Sequence, residues 1–283
     1  MSTLLLPIPQ FHGRGLALNW SNRILVAADG RESSDAAISM AWRLGKHAIL
    51  DLVSVIEAKA RDAVSEEARA ERAACVEAQL NRVLGTLPDG DLVVDAGSPA
   101  DIIASAARLR DASLLVIGLG TCPVRDRLLG EELALAIARR ARTPLFAVAP
   151  GHLCRPKRIV VAMDFSPASY AACEAALEIV DRDALVVLAN VIEANARRTP
   201  SGALWRLVEK VQTGFTGRVT AVERHGDPAS QLLDIATGVR ADTIVLGGHG
   251  QTGAIEKALG PVATRIIRCA PVSVLLVPAF QEC

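Results

Sequence analysis

The chain has 283 residues, of which 51% are hydrophobic and only 3% aromatic, and its 31 basic side chains are balanced by 31 acidic ones. This length is enough for two domains of ordinary size, with cores built from Ala, Val, Leu and Ile. The balanced charge argues against nucleic acid as a partner, and we expect neither a signal peptide nor a membrane span.

The cysteines are scattered and show neither a CxxC motif nor paired spacing. Such a distribution is typical of reduced, mostly buried thiols, and it predicts a cytoplasmic protein. It also gives no ligand set for a structural metal. The residues concerned are Cys75, Cys122, Cys154, Cys173, Cys269 and Cys283.

From Arg23 onward the pattern predicts alternating strands and helices. The predicted strands of the first half are short apolar runs: Ile24–Ala28, Ile49–Ile56, Leu92–Asp95, Leu114–Gly118 and Leu145–Val148. Helices are predicted between them, the first capped by Ser33 or Ser34 and reaching about Gly45, then 61–84, Pro99 to about Arg110, and 126–142. The breaker-rich segment 150–156 marks the end of this half.

The second half repeats the first. Arg158–Asp164 restates Arg23–Asp29, and the segment Leu188-Ala-Asn-Val-Ile-Glu-Ala restates Leu52-Val-Ser-Val-Ile-Glu-Ala. The third and fourth strands have equivalents as well. The sequence therefore predicts two α/β domains, at 20–150 and 155–280, each a doubly wound parallel sheet of five strands.

The last strand of each domain is an apolar run that would form an exposed sheet edge. Such edges are unfavourable unless another strand pairs with them. We therefore expect Leu145–Val148 to pair with Val274–Val277, which would build a pseudo-dimer within one chain. Further association into a homodimer stays open.

A glycine-rich loop follows the fourth strand of the second domain. The strand ends at Gly247, the loop includes Gly248 and Gly250, and Gly260 precedes a further helix. A strand, a glycine loop and a helix start together present N–H groups to phosphate, at the strand ends where open sheets bind ligands. The alternative is an ordinary surface loop.

These segments together resemble the universal stress protein family. The family's nucleotide signature is Gly, two residues, Gly, nine residues, then Gly followed by Ser or Thr, and it is met here by Gly247, Gly250 and Gly260, with Pro261 in the last position. The resemblance covers about 22–279 and implies a Rossmann-like fold of the adenine nucleotide alpha hydrolase-like type.

The resemblance also implies ATP or AMP as a ligand of the second domain, with no metal beyond Mg²⁺ accompanying ATP. Asp164 would face the adenosine and Val191 would give main-chain contacts to adenine. The glycines and the helix start would frame the ribose and the phosphates. The residues implied are Asp164, Val191, Gly247, Gly248, His249, Gly250, Gly260, Pro261 and Val262.

Two of these residues have simpler interpretations. Asp164 can instead form an Asx-type turn or cap the helix that begins near Pro167. His249 is more simply a solvent-exposed spacer within the loop.

Both domains depart from the signature. Pro261 has neither a hydroxyl nor an N–H group, which predicts weaker triphosphate binding or a preference for AMP. The first domain has the shorter loop Gly118-Leu-Gly120, and its Gly130 is followed by Glu131, whose charge would repel phosphate. We therefore expect the first domain to bind no ATP.

The sequence contains no arrangement that predicts a catalytic residue. We expect a non-catalytic stress-response module, with slow ATP hydrolysis as an open alternative. A second alternative is a scaffold that binds no nucleotide and acts through an unidentified protein partner.

Overall fold

The computed structural model of the chain describes residues 22–59, 64–119, 132–193, 202–248 and 259–278. Within these ranges strands and helices alternate from one end to the other, as the apolar pattern predicts. Two of the predicted site residues, His249 and Gly250, lie outside the described residues, and so do Gly120, Gly130 and Glu131 of the first half.

The first half contains five strands and the helices that connect them. The strands are β1 (Arg23–Ala27), β2 (Ile49–Glu57), β3 (Leu92–Gly97), β4 (Leu114–Gly118) and β5 (Leu145–Val148). The helices are α1 (Asp35–Leu44), preceded by a 3-10 turn at Glu32–Ser34, α2 (Glu66–Leu84), α3 (Pro99–Leu109) and α4, whose described part covers 132–138. The predicted helix 126–142 therefore ends earlier than expected, and Pro144, which disfavours helix in the preceding residue, follows the shortened end.

The second half repeats this order. Its strands are β6 (Arg158–Ala162), β7 (Leu185–Ile192), β8 (Arg218–His225), β9 (Thr243–Gly247) and β10 (Ser273–Val277). Its helices are α5 (Pro167–Ile179), α6 (Ala203–Gly214), α7 (Pro228–Gly238) and α8 (Pro261–Cys269).

The ten strands of the described ranges belong to one continuous sheet, in the order β3-β2-β1-β4-β5-β10-β9-β6-β7-β8. Each half alone has the doubly wound order, in which the third, second and first strands are followed by the fourth and fifth. The two halves meet where β5 pairs antiparallel with β10, with Phe146 opposite Leu275. The predicted pairing of the last strand of each half within one chain is therefore confirmed.

Helices cover both faces of the sheet, and each face has its own apolar core. Successive strand residues alternate between the faces. Ile24 and Val26 therefore belong to the core on the face covered by α1, α2, α5 and α6, while Leu25 belongs to the core on the face covered by α3, α4, α7 and α8. Both cores extend across the seam, since Phe146 lies in the first and Ala147 in the second. The halves thus share their hydrophobic cores.

Several of the described helix starts follow the expected capping chemistry, and the start of α1 does not. Proline occupies the first turn of α3, α5, α7 and α8, where its missing N–H costs nothing. Ser166 caps α5 by accepting a hydrogen bond from the Ser169 N–H. Ser34 lies at the predicted start of α1, but its hydroxyl donates to Asp29 Oδ1 (2.7 Å) and does not cap the helix.

The expectation of mostly buried cysteines is wrong for the described part of the chain. Cys75, Cys154 and Cys269 are exposed, and only Cys173 is buried. Burial raises the pKa of the Cys173 thiol to about 12. The two exposed helical cysteines lie outside the apolar stripes of α2 and α8, which explains the difference. None of the described helices combines the length and the apolar character that a membrane-spanning helix requires.

Candidate functional site

The predicted site residues of the second half meet at the carboxyl ends of three strands. β6 lies between β7 and β9, with Val161 opposite Leu188 on one side and Val245 on the other. Because these strands are parallel and in register, Asp164, Val191 and Gly247 come to the same edge of the sheet.

Asp164 stabilises the turn that connects β6 to α5. Its Oδ1 accepts hydrogen bonds from the N–H (3.0 Å) and the hydroxyl (2.6 Å) of Ser166. Ser166 in turn caps α5. The Asx-type turn predicted as the alternative for Asp164 is therefore present, and this is compatible with the half-exposed carboxylate also facing a ligand.

The residue after Asp164 has a strained backbone. Phe165 has a φ of 61°, a left-handed conformation that bulky residues rarely adopt. Its ring packs edge-on against Tyr170, with ring centroids 6.4 Å apart. Such strain concentrates at functional sites, where the surrounding structure maintains it. The equivalent residue in the first half is Gly30, with a φ of 78°.

Asn190 is a site residue that the sequence interpretation missed. Its side chain is 4% exposed, and its Nδ2 donates to the Met163 carbonyl (2.6 Å), next to Asp164. Its Oδ1 is buried without a partner. The available signal was a polar residue in an otherwise apolar strand, immediately before Val191. Asn190 therefore fixes the backbone from which Asp164 projects.

Gly247 is required by packing between β9 and α5. A Cβ at this position would lie 2.8 Å from Ala168 Cβ and 2.9 Å from the Ala168 carbonyl carbon. The equivalent Gly118 is as crowded, with 2.2 Å to the Ser33 carbonyl oxygen. The close approach of helix and strand accounts for these glycines without any ligand.

Gly248 connects the end of β9 to two other elements. Its N–H donates to the Val277 carbonyl (2.7 Å), and its own carbonyl accepts from the Gly260 N–H (3.0 Å). A Cβ on Gly248 would meet only ordinary contacts, the shortest of them 3.6 Å. This pair of bonds holds the start of α8 against the strand end.

The start of α8 offers fewer donors than the nucleotide signature implies. The Gly260 N–H is engaged by Gly248, and the exposed Pro261 has no N–H. The first intrahelical bond is made by the Thr264 N–H to the Gly260 carbonyl (2.9 Å). The N–H groups of Val262 and Ala263 are therefore the first-turn donors at this helix end.

In the described part of the equivalent edge of the first half, the aspartate is engaged by neighbouring groups of the chain. Asp29 Oδ1 accepts from the Ser34 hydroxyl (2.7 Å) and the Arg31 N–H (3.0 Å), and its Oδ2 accepts from the Ser33 hydroxyl (2.8 Å). Both carboxylate oxygens are thus engaged within one turn.

Gln79 of α2 completes this closed network. Its side chain is 2% exposed, accepts from the Gly30 N–H (3.0 Å) through Oε1, and donates from Nε2 to Asp35 (2.6 Å) and to the Arg31 carbonyl. The N–H group that follows Asp29 is therefore unavailable to a ligand.

Two clefts of about 510 Å³ each lie elsewhere on the described surface. One surrounds Trp42 and Lys46 at the end of α1, and the other lies between Lys46 and Arg182. Neither touches Asp164 or Gly260, so these two clefts do not coincide with the predicted nucleotide site. The described residues also contain no group of three His, Cys, Asp or Glu side chains that could hold a metal ion.

Comparisons with known proteins agree on one family. The model of the universal stress protein family matches twice, at residues 21–149 and 156–278. A universal stress protein of Methanocaldococcus jannaschii is 29% identical over 138 residues, which cover 43% of this chain and 81% of the relative.

Two solved structures have a similar fold over almost the whole chain. A universal stress protein from Archaeoglobus fulgidus has a TM-score of 0.70 at 20% identity, over 92% of this chain and 97% of that one. A putative universal stress protein from Pseudomonas aeruginosa has a TM-score of 0.60 at 14% identity, over 93% and 95%.

Proposed function

We propose that this chain, which belongs to the universal stress protein family, binds an adenine nucleotide, ATP or AMP, in its second half and acts as a non-catalytic stress-response module. The observation that carries the proposal is the convergence of Asp164, Val191 and the start of α8 on one edge of the sheet. In the first half, both oxygens of the equivalent Asp29 already accept hydrogen bonds from the chain's own hydroxyl groups.

Each group has a role that its chemistry supports. The Asp164 carboxylate is an acceptor for the hydroxyl groups of the adenosine, and the half-buried Val191 offers main-chain groups to adenine. The N–H groups of Val262 and Ala263 lie at the positive end of the α8 dipole, which favours a phosphate oxygen. The loop residues His249 and Gly250 complete the proposed site.

Pro261 makes AMP the more favourable of the two ligands. Loss of one hydrogen bond to a charged phosphate costs about 1.5–3 kcal/mol, or roughly one to two decades of affinity. AMP presents fewer phosphate groups to the helix start. Mg²⁺ would enter only with ATP, since it is commonly bound through nucleotide phosphates.

A specific observation also favours the nucleotide-free scaffold. The bond between Gly260 and Gly248 uses an N–H that the signature would otherwise offer to phosphate. Together with Pro261 it reduces the donors at this end of α8. In that case the chain would act through a protein partner and the carboxyl edge would remain without a nucleotide.

The test is calorimetric titration with AMP and with ATP in the presence of Mg²⁺. An Asp164→Ala variant is expected to bind AMP roughly tenfold more weakly, the value of one charge-assisted hydrogen bond. Asp29→Ala is the matched control, since it removes the equivalent carboxylate from the half that we expect to bind no ATP.

The outcomes separate the two functions. Binding that is weakened by Asp164→Ala and unchanged by Asp29→Ala supports the nucleotide site. If neither nucleotide gives a heat of binding at about 1 mM, the scaffold is favoured. A Kd of this size corresponds to a binding free energy near −4 kcal/mol. An equal loss of nucleotide affinity in both variants would mean that binding is not confined to the second half.

A further inference from the structure

A basic cleft lies between the two halves, away from the carboxyl edge of the second. It has a volume of about 510 Å³. The first half contributes the turn between α1 and β2, and the second half contributes the segment before β6 and the turn between α5 and β7. The ionisable lining residues are Lys46, His47, Arg155, Asp181 and Arg182.

Three of these basic side chains are available to a ligand. Lys46, His47 and Arg182 make no side-chain hydrogen bond or ion pair with any residue in the described ranges. Unpaired cations in a concave surface attract anions more strongly than the same groups spread over a flat one.

Arg155 is held in place at the wall of the cleft. Its Nη2 donates to the Glu178 carbonyl (2.8 Å) at the end of α5. Among the described residues that line the cleft, Asp181 is the one acidic side chain, and its Oδ1 accepts from the Arg182 backbone N–H (3.1 Å). Lys46, Arg155 and Arg182 therefore provide three permanent positive charges against one carboxylate.

The negative ends of the α1 and α5 dipoles partly offset this charge. Each helix end is equivalent to about half an elementary charge and acts within its last turn. Lys46 and Arg182 lie beyond the last residues of these helices, Leu44 and Ile179. A surplus of positive charge therefore remains in the cleft.

The repeat explains why the basic residues meet. Leu52 of β2 and Leu188 of β7 are equivalent, and counting back six residues from each gives Lys46 and Arg182. The cleft thus brings together the same turn from both halves, each with a basic residue at the same position. Neither turn alone forms this cleft.

We propose that this cleft is a binding site for a small polyanion that carries several phosphate or carboxylate groups. Lys46 and Arg182 contact the anion from opposite halves, and Arg155 and His47 complete the wall. This site is independent of the nucleotide site proposed above, because it shares no residue with it.

The test is calorimetric titration of the full chain with tripolyphosphate and, separately, with citrate at low ionic strength. We expect tripolyphosphate to bind with a Kd of about 1 mM or lower, since three charge-assisted contacts contribute roughly one decade each. The double variant Lys46→Gln/Arg182→Gln should weaken binding of either anion at least about tenfold. A tighter Kd for tripolyphosphate would assign phosphate as the preferred group, and a tighter Kd for citrate would assign carboxylate.

Lys157→Gln/Arg206→Gln is the matched control, because it removes two exposed charges outside the cleft. It should change Kd by less than about threefold, a long-range effect that salt screens. Tripolyphosphate binding should be unchanged by an excess of AMP, whose phosphate would occupy the proposed position at the start of α8, and this separates the cleft from the nucleotide site. Absence of binding by the native chain at about 10 mM would overturn the proposal, as would an unchanged Kd in the cleft variant whose fold is intact by circular dichroism.

Discussion

The two halves of the chain place an aspartate after the first strand in different surroundings. In the first half, Asp29 lies within a network that Gln79 closes from α2. In the second half, Asp164 bonds to Ser166 and lies beside the left-handed Phe165 and the buried Asn190. The same aspartate of the repeat can therefore be a candidate binding residue in one half and an engaged structural residue in the other, depending on the side chains of the helix that packs beside it.

The halves also differ at the opposite ends of their strands. In β2 the buried Asp51 forms ion pairs with Arg23 (2.6 Å) and Arg110 (3.1 Å). The equivalent position in β7 is the fully buried Val187. At this position the first half thus has a buried charge network and the second half has an apolar side chain.

The largest expected effect tests whether the halves behave as separate units at all. Phe146 is fully buried at the seam, opposite Leu275 of the other half. Phe146→Ala should lower the free energy of unfolding by about 3–5 kcal/mol, because it removes a large side chain from a core that both halves share. Differential scanning calorimetry should show one transition that moves as a whole.

Leu109→Ala is the control for this substitution, since Leu109 is 83% exposed and its loss should change stability by less than about 0.5 kcal/mol. If calorimetry instead shows two unfolding transitions, and Phe146→Ala shifts only the one at lower temperature, the shared core does not couple the halves.

The next effect concerns the charge network that only the first half has. Asp51→Ala should cost about 3 kcal/mol, because it removes the buried carboxylate that pairs with both Arg23 and Arg110 and leaves Arg110 only the exposed Asp91. Asp91→Ala removes an exposed carboxylate from the same Arg110 and should cost under about 1 kcal/mol in urea unfolding. Equal costs would show that burial of Asp51 does not matter.

The same network predicts a dependence of stability on pH. Burial opposes ionisation of Asp51, but the Asp91 N–H and the guanidinium groups of Arg23 and Arg110 outweigh it and hold the pKa of Asp51 below its usual value. This contribution is complete above the unfolded pKa of about 3.9 and is lost as the pH falls through the folded pKa. The stability difference between the native chain and Asp51→Ala should therefore shrink in acid.

A smaller effect concerns ligand binding in the second half and rests on its proposed nucleotide site. Pro261→Ser restores a hydroxyl and an N–H at the start of α8, so ATP affinity should rise by about one to two decades, with a smaller gain for AMP. Pro99→Ser makes the same change at the start of α3 in the first half and should leave both affinities unchanged in calorimetric titration. An unchanged ATP affinity in Pro261→Ser would mean that the start of α8 does not contact the phosphates.

Sequence alone predicted the architecture well because periodic apolar runs determine which residues face the core. The pairing of β5 with β10 followed from two apolar runs that would otherwise be exposed edges. Gln79 was not predictable in this way, since it lies in an Ala-, Glu- and Arg-rich helix and bonds to residues more than forty positions away. Apolar periodicity predicts which face of a helix packs on the core. It does not predict which polar side chain bonds to a turn that is distant in the sequence.

The glycines show a second limit of the sequence interpretation. Their spacing suggested a phosphate loop, yet the structure gives Gly247 a packing role against Ala168 that Gly118 shares in the first half. A spacing motif cannot separate close approach to a ligand from close approach to a helix. The assignment of Gly247 to the nucleotide therefore stays a prediction.

The smallest expected effect compares the two left-handed positions, Gly30 and Phe165. Gly30→Ala should cost about 1–2 kcal/mol, because a residue with a Cβ is disfavoured at a φ of 78° and the new methyl would lie 3.0 Å from Cys75 Cβ. Phe165→Gly should relieve a similar backbone strain but lose the packing of the ring against Tyr170, so its net change in unfolding free energy should be smaller than that of Gly30→Ala. Phe165→Ala keeps the strain and removes only the ring, and the difference between the two Phe165 variants in urea unfolding measures the strain itself. If that difference is zero, the left-handed turn beside Asp164 stores no energy, and the two halves differ there in side chain alone.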